Sequence, residues 1–192
     1  MGITTENYFE YIYSVIFSPK TFFEDENIKM SVRLAAATVA LVTVFTQTGV
    51  AVANNTIIEP FFILSLLWKV CCTIICWVIT GLFFEYIAKI FSENGGISKI
   101  LFYSAFAMVP FIFFAPLDIL KNIGSVGFVI GSTAEVILYF WVIYLYANAV
   151  KSSYKISLSR AFMLISVPFI GLFFAFSWTI GFFAKLWYIF SI

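Results

Sequence analysis

Histidine is absent from this chain of 192 residues. That excludes Ser-His-Asp and Cys-His catalysis, His-ligated metals and a histidine proton relay. Charge is scarce as well: 11% of residues are charged, with 11 basic against 10 acidic side chains. A net charge of +1 leaves no basic domain or stripe, which excludes nucleic acid as a partner. Only three cysteines occur, Cys71, Cys72 and Cys76, all inside one apolar stretch. An odd number at that depth makes no disulfide framework, and no second ligand type accompanies them. They read as small apolar packing residues, so no metal or cofactor is implied. The first ten residues hold Glu6 and Glu10 and no Lys or Arg. A cleavable signal starts basic, so the first apolar span is expected to act as the insertion signal.

Apolar side chains are abundant. They make up 62% of the chain, and the mean hydropathy is +1.03. A soluble domain is about half apolar and about a quarter charged. Lipid must therefore solvate much of this chain, and the fold class is all-α: a polytopic integral membrane protein of five transmembrane helices. The expected spans are residues 33–53, 61–91, 100–120, 127–150 and 161–188, within a membrane domain of residues 31–192. Residues 1–30 form a cytoplasmic or interfacial segment. In it Tyr8, Ile12, Val15 and Ile16 share one helical face, and Pro19 opens a second short helix. Pro110 and Pro116 predict kinks in span three, and Pro168 predicts one in span five. Gly127 and Gly131 form a small-xxx-small pair for helix packing, or alternatively a dimer face.

The basic residues set the orientation. Lys20, Lys29, Arg33, Lys89, Lys99, Lys151, Lys155 and Arg160 fall on one side, and Lys121 and Lys185 on the other. The positive-inside rule then places the N-terminus in the cytoplasm and the C-terminus outside, in a cell (plasma or inner) membrane. The loops carrying Lys89, Lys99, Lys151, Lys155 and Arg160 can attract anionic lipid headgroups. The bilayer is one expected partner; a protein partner or a second copy is the other.

Charges inside spans are costly and mark structure or function. Glu135 in span four and Lys69 in span two lie at similar depths, within a few ångströms by a count of about 1.5 Å per residue. The expectation is that they pair and fix the two spans together. Lys69 snorkelling alone is the other reading. Asp118, Lys121 and Lys185 would form an outer polar rim, with Glu59 beside them. Glu85 and Lys89, four apart, form a local pair.

Residues 81–121 carry a further pattern. The span containing Gly81-Leu-Phe-Phe-Glu-Tyr-Ile-Ala-Lys-Ile-Phe leads into Asn94-Gly95-Gly96. Ser98-Lys-Ile-Leu-Phe-Tyr103 follows and reaches Pro110 in mid-span. The arrangement resembles the YIP family, the Rab-GTPase-interacting multi-span proteins and their bacterial relatives, with Gly95, Gly96, Tyr103 and Pro110 in the motif positions. The entry Ser18-Pro19-Lys-Thr-Phe22-Phe23 and the stretch from Trp141 to Ala161 resemble the same family. The eukaryotic branch has a long cytosolic region and an Asp-Leu-Tyr-Gly-Pro motif, which this chain lacks. The resemblance therefore implies the bacterial branch and transfers no catalytic residue. The expected function is a non-enzymatic scaffold or membrane-organising protein. The alternative is a small transporter, channel or lipid-handling protein using Glu135 and Lys69. No nucleophile–base set supports an intramembrane enzyme.

Overall fold

In hydrocarbon each backbone N–H and C=O must find its partner inside the protein, which favours helices. The computed structural model describes residues 5–25, 28, 30–54, 56, 57, 60–91 and 96–167, and among these there is no strand. Helices α1 (Thr5–Phe17) and α2 (Pro19–Glu24) precede the spans. The first two spans are α3 (Val32–Ala53) and α4 (Phe62–Phe91). Span three is α5 (Ile97–Ala107), a 3-10 turn (Val109–Phe113) and α6 (Phe114–Lys121). Span four is α7 (Gly124–Tyr154). A shorter apolar helix, α8 (Leu158–Val167), opens the region of the fifth expected span. The rest of that span, with Pro168 and Lys185, lies outside the described residues, as do Gly95 and Glu59.

Among the described residues, four helices are long and apolar enough to cross a membrane. Span three sits at the centre: residues Ile100 to Ala107 are all buried, and α5 packs against α3, α4 and α7. Helix α4 lies at the rim, with Leu64, Trp68, Ile79 and Tyr86 exposed. Cys71 and Cys76 are also exposed there, so they face away from the bundle instead of packing inside it.

The break in span three has a local cause. Pro110 has no N–H to donate, and the chain tightens to a 3-10 turn around it. Thr46 of α3 reaches into the break: its hydroxyl lies 3.2 Å from the carbonyl of Phe111 and 2.8 Å from that of Val42. A neighbouring helix thus re-satisfies the disturbed backbone. Pro116 makes no second break. It falls in the first turn of α6, where its missing N–H costs little.

Close helix approach depends on small residues. A Cβ at Gly49 would lie 2.1 Å from the Cβ of Ala115, so α3 and α6 meet with no room for a side chain. Gly127 and Gly131 receive α6 in the same way, the first against the carbonyl of Leu120 and the second against the stem of Lys121. The pair packs within the chain and does not form a free dimer face.

Helix α1 runs back alongside α5. Tyr11 meets Phe102 and Phe106, while Tyr8, a turn earlier, meets Phe106 and lies 3.3 Å from the hydroxyl of Thr38. The helix also touches the 3-10 turn of span three. Its inward face is the one the periodicity marks, with Val15 fully buried and Tyr8, Ile12 and Ile16 packed on the core. Its outward face carries Phe9, Tyr13 and Phe17, all more than half exposed.

Candidate functional site

Two polar regions stand out, one at each end of the bundle. At the end where α6 meets α7, Lys121 is salt-bridged to both Asp118, at 3.1 Å, and Glu135. Asp118 lies three residues before Lys121 on the same helix. Glu135 lies one turn beyond Gly131 on α7, and the missing side chain at Gly131 lets the lysine stem pass. The side chain of Asn122 adds a bond to the carbonyl of Ala53 at 2.6 Å, closing α6 onto the end of α3.

Lys69 is elsewhere. Its ammonium donates to the amide oxygen of Gln47 at 2.6 Å, tying α4 to α3. The expected Lys69–Glu135 pair is therefore not formed. Both residues lie inside spans, yet each faces a different neighbour: α4 packs on α3 and α5, whereas α7 packs on α5 and α6. Depth alone had suggested the pair, and helical facing decides against it. Two members of the expected outer rim, Asp118 and Lys121, do come together, with Glu135 as the third group.

The opposite end is basic. Lys20, Lys89, Lys99, Lys151, Lys155 and Arg160 all belong to segments that terminate there. The chain enters through α2, whose Pro19 at the first helical position and Thr21 hydroxyl, donating to the Ser18 carbonyl at 2.7 Å, set a single tight helix. This helix directs Phe22 and Phe23 inward, where both are buried. Phe22 meets Phe102, Tyr103 and Phe106, and Phe23 meets Tyr103 edge-on with ring centroids 5.4 Å apart. Edge-to-face pairs of this kind add to plain burial. Tyr103 is the floor on which α2 rests. Its hydroxyl reaches the carbonyl of Asp25 at 3.5 Å.

Helix α7 closes the dock from the side. The Ser152 hydroxyl donates to the carbonyl of Phe23, and Lys151 donates to Glu24 at 2.8 Å. The ammonium of Lys151 holds the Glu24 carboxyl below its usual range, first through that hydrogen bond and then through its charge. Nearby, the expected Glu85–Lys89 contact is present at 3.6 Å, and the buried Tyr154 also donates to Glu85 at 3.0 Å, linking α7 to α4. Lys155 follows α7 in the left-handed region, at φ 52°. Gly96 is the N-cap of α5 in extended backbone, at φ −150°, and does not need to be glycine for its conformation.

Sequence reasoning missed Glu24, Ser152, Tyr154 and Gln47 as partners. The Pro19-to-Phe23 pattern predicted a short helix and a family likeness, without showing that this helix docks or where. Among the described residues no group of three or more His, Cys, Asp or Glu side chains is placed to hold a metal ion.

The family model described as the Yip1 domain matches residues 13–179, which takes in α2 and all four long spans. No curated protein and no solved structure matches the chain. The match covers most of the sequence, and the chain belongs to the Yip1 domain family.

Proposed function

We propose that this Yip1 domain membrane protein acts without catalysis, as a scaffold that organises the bilayer around it through its basic end. One observation supports the reading most. The charged side chains within the described spans are tied to neighbouring elements of the bundle, Lys69 to Gln47 and Lys121 to Glu135 and Asp118, while the other basic side chains among the described residues gather at one end. Charges used this way fix helices, and a basic end attracts anionic headgroups at about 1 kcal/mol per residue near the surface. In this reading the basic end faces the cytoplasm of a plasma or inner membrane. The bacterial branch of the family is the best fit to the Pro19-to-Phe23 entry.

Transport through Lys69 and Glu135 is the competing reading; their different partners, Gln47 for Lys69 and Lys121 for Glu135, favour the structural role instead. Proteoliposomes test the choice. The scaffold reading expects no solute or lipid flux above that of empty vesicles, and enrichment of anionic lipid around the reconstituted protein. A specific flux that disappears in Glu135→Gln would overturn it.

A further inference from the structure

The basic end contains a cavity of about 280 Å³. It lies where the end of α2, the first turn of α5 and the end of α7 converge, and Lys99, Tyr103, Lys151, Ser152 and Lys155 line it together with Glu24 and Asp25. Three lysines thus share one small space with two carboxylates. Glu24 is engaged by Lys151 at 2.8 Å. Lys99 has no carboxylate partner among the described residues. Like charges lining one cavity repel, and an anion among them relieves the repulsion.

We propose that this cavity is a binding site for a phosphate group, carried by an anionic lipid or free in solution. The inference rests on the reading that this end of the bundle meets anionic headgroups, and it narrows that diffuse attraction to one saturable site. Two properties define the ligand. The volume is at the small end of ligand sites, which run from about 300 Å³ upward, so it admits a phosphate and its immediate substituent. The hydroxyl protons of Ser152 and Tyr103 are directed at backbone carbonyls of Phe23 and Asp25, which leaves the lysines as the donors. Lysines recognise charge more than shape. A phosphate monoester, carrying more charge, therefore binds more tightly than a diester. Glu24 is a built-in competitor for Lys151, so its removal strengthens binding.

The test titrates the full-length protein in zwitterionic detergent with short-chain phosphatidic acid, phosphatidylglycerol, phosphatidylcholine or inorganic phosphate, and counts bound molecules by native mass spectrometry. The expected result is one saturable phosphatidic acid, weaker phosphatidylglycerol and no retained phosphatidylcholine. Lys99→Gln and Lys155→Asn each weaken binding about tenfold, the scale of one lost charge-assisted contact. Asparagine suits the left-handed backbone at 155. Glu24→Gln strengthens binding, while Lys20→Gln and Lys89→Gln, outside the cavity, leave it unchanged. Competition by inorganic phosphate identifies a soluble ligand; its failure to compete identifies the lipid. If all the lysine variants, Lys20 and Lys89 included, weaken binding equally, the attraction is diffuse and the site is refuted while the scaffold reading stands. If no anionic lipid is preferred at all, both fail.

Discussion

The indole N–H of Trp77 donates to the hydroxyl of Ser104 at 2.9 Å across the contact between α4 and the central helix. Both side chains are buried, and Ser104 in turn lies 3.2 Å from the carbonyl of Leu101. This bond anchors a rim helix, with Leu64, Trp68, Ile79 and Tyr86 exposed, to the core. Ser104→Ala leaves the indole donor unpaired. The expected cost is about 1 kcal/mol, because interhelical hydrogen bonds in membranes average about 0.6 and reach about 1.7 kcal/mol. Denaturation in mixed micelles measures it. A Trp77→Phe, Ser104→Ala double variant should lose less than the two single losses added together, since each removes the same bond.

Lys121 serves two carboxylates, so the substitutions at this cluster should rank in order. Lys121→Leu leaves Asp118 and Glu135 facing each other and destabilises most. Glu135→Gln leaves the Lys121–Asp118 contact in place and costs less. Lys69→Gln costs least, because a glutamine amide can still donate toward Gln47. Exchanging the charges of Lys69 and Glu135 should rescue nothing that the single variants lose. Thermal midpoints in one detergent give the ranking, and a rescue by the exchange would contradict the observed partners.

The Glu24–Lys151 contact should weaken in acid. The folded-state carboxyl is held below its ordinary value of 4.5, so its contribution is present above that value. Stability from the contact is lost as pH falls through the lowered folded value. A double-mutant cycle with Glu24→Gln and Lys151→Gln should show coupling at neutral pH and none in strong acid. Coupling that persists after the carboxyl is protonated would mean that packing of α2, not charge, joins the two residues.

The outward aromatics of α1 should touch acyl chains. Tryptophan at position 9 or 17 should be quenched by brominated lipid, whereas tryptophan at position 11, packed among Phe22, Phe102 and Phe106, should be protected. Equal quenching at all three positions would show that α1 leaves the bundle in a bilayer.

Much of the helical framework was legible because lipid imposes it. The all-α class was expected, and α3 and α4 are two of the helices long and apolar enough to cross a membrane. Composition alone identifies a segment that must satisfy its own backbone. The inward face of α1 was legible for a related reason, since period 3.6 carries that information within one helix. Pairings between helices were not legible. Lys69 and Glu135 matched in depth, but which neighbour each meets depends on how α4 and α7 rotate against α5, and each residue step turns a helix by about 100°. The dock of Phe22 and Phe23 onto Tyr103 spans roughly 80 residues of sequence, and no local pattern encodes it. Pro110 and Pro116 look alike in sequence; only the restart of the helix at Phe114 makes one a break and the other a first-turn residue.

Helix α1 packs on α5 and on the 3-10 turn, so among the described residues it adds bulk beside one part of span three. A helix with its side chains is about 10 Å across. Placed within one leaflet, α1 would displace on the order of 80 Å² more lipid there than a bundle without it. With the long helices set across a bilayer, α1 would give the described bundle a wedge component, and crowding many copies into one patch would add these small mismatches into a preferred curvature. Partitioning of the protein between small and large vesicles, with and without α1, would reveal that bias directly.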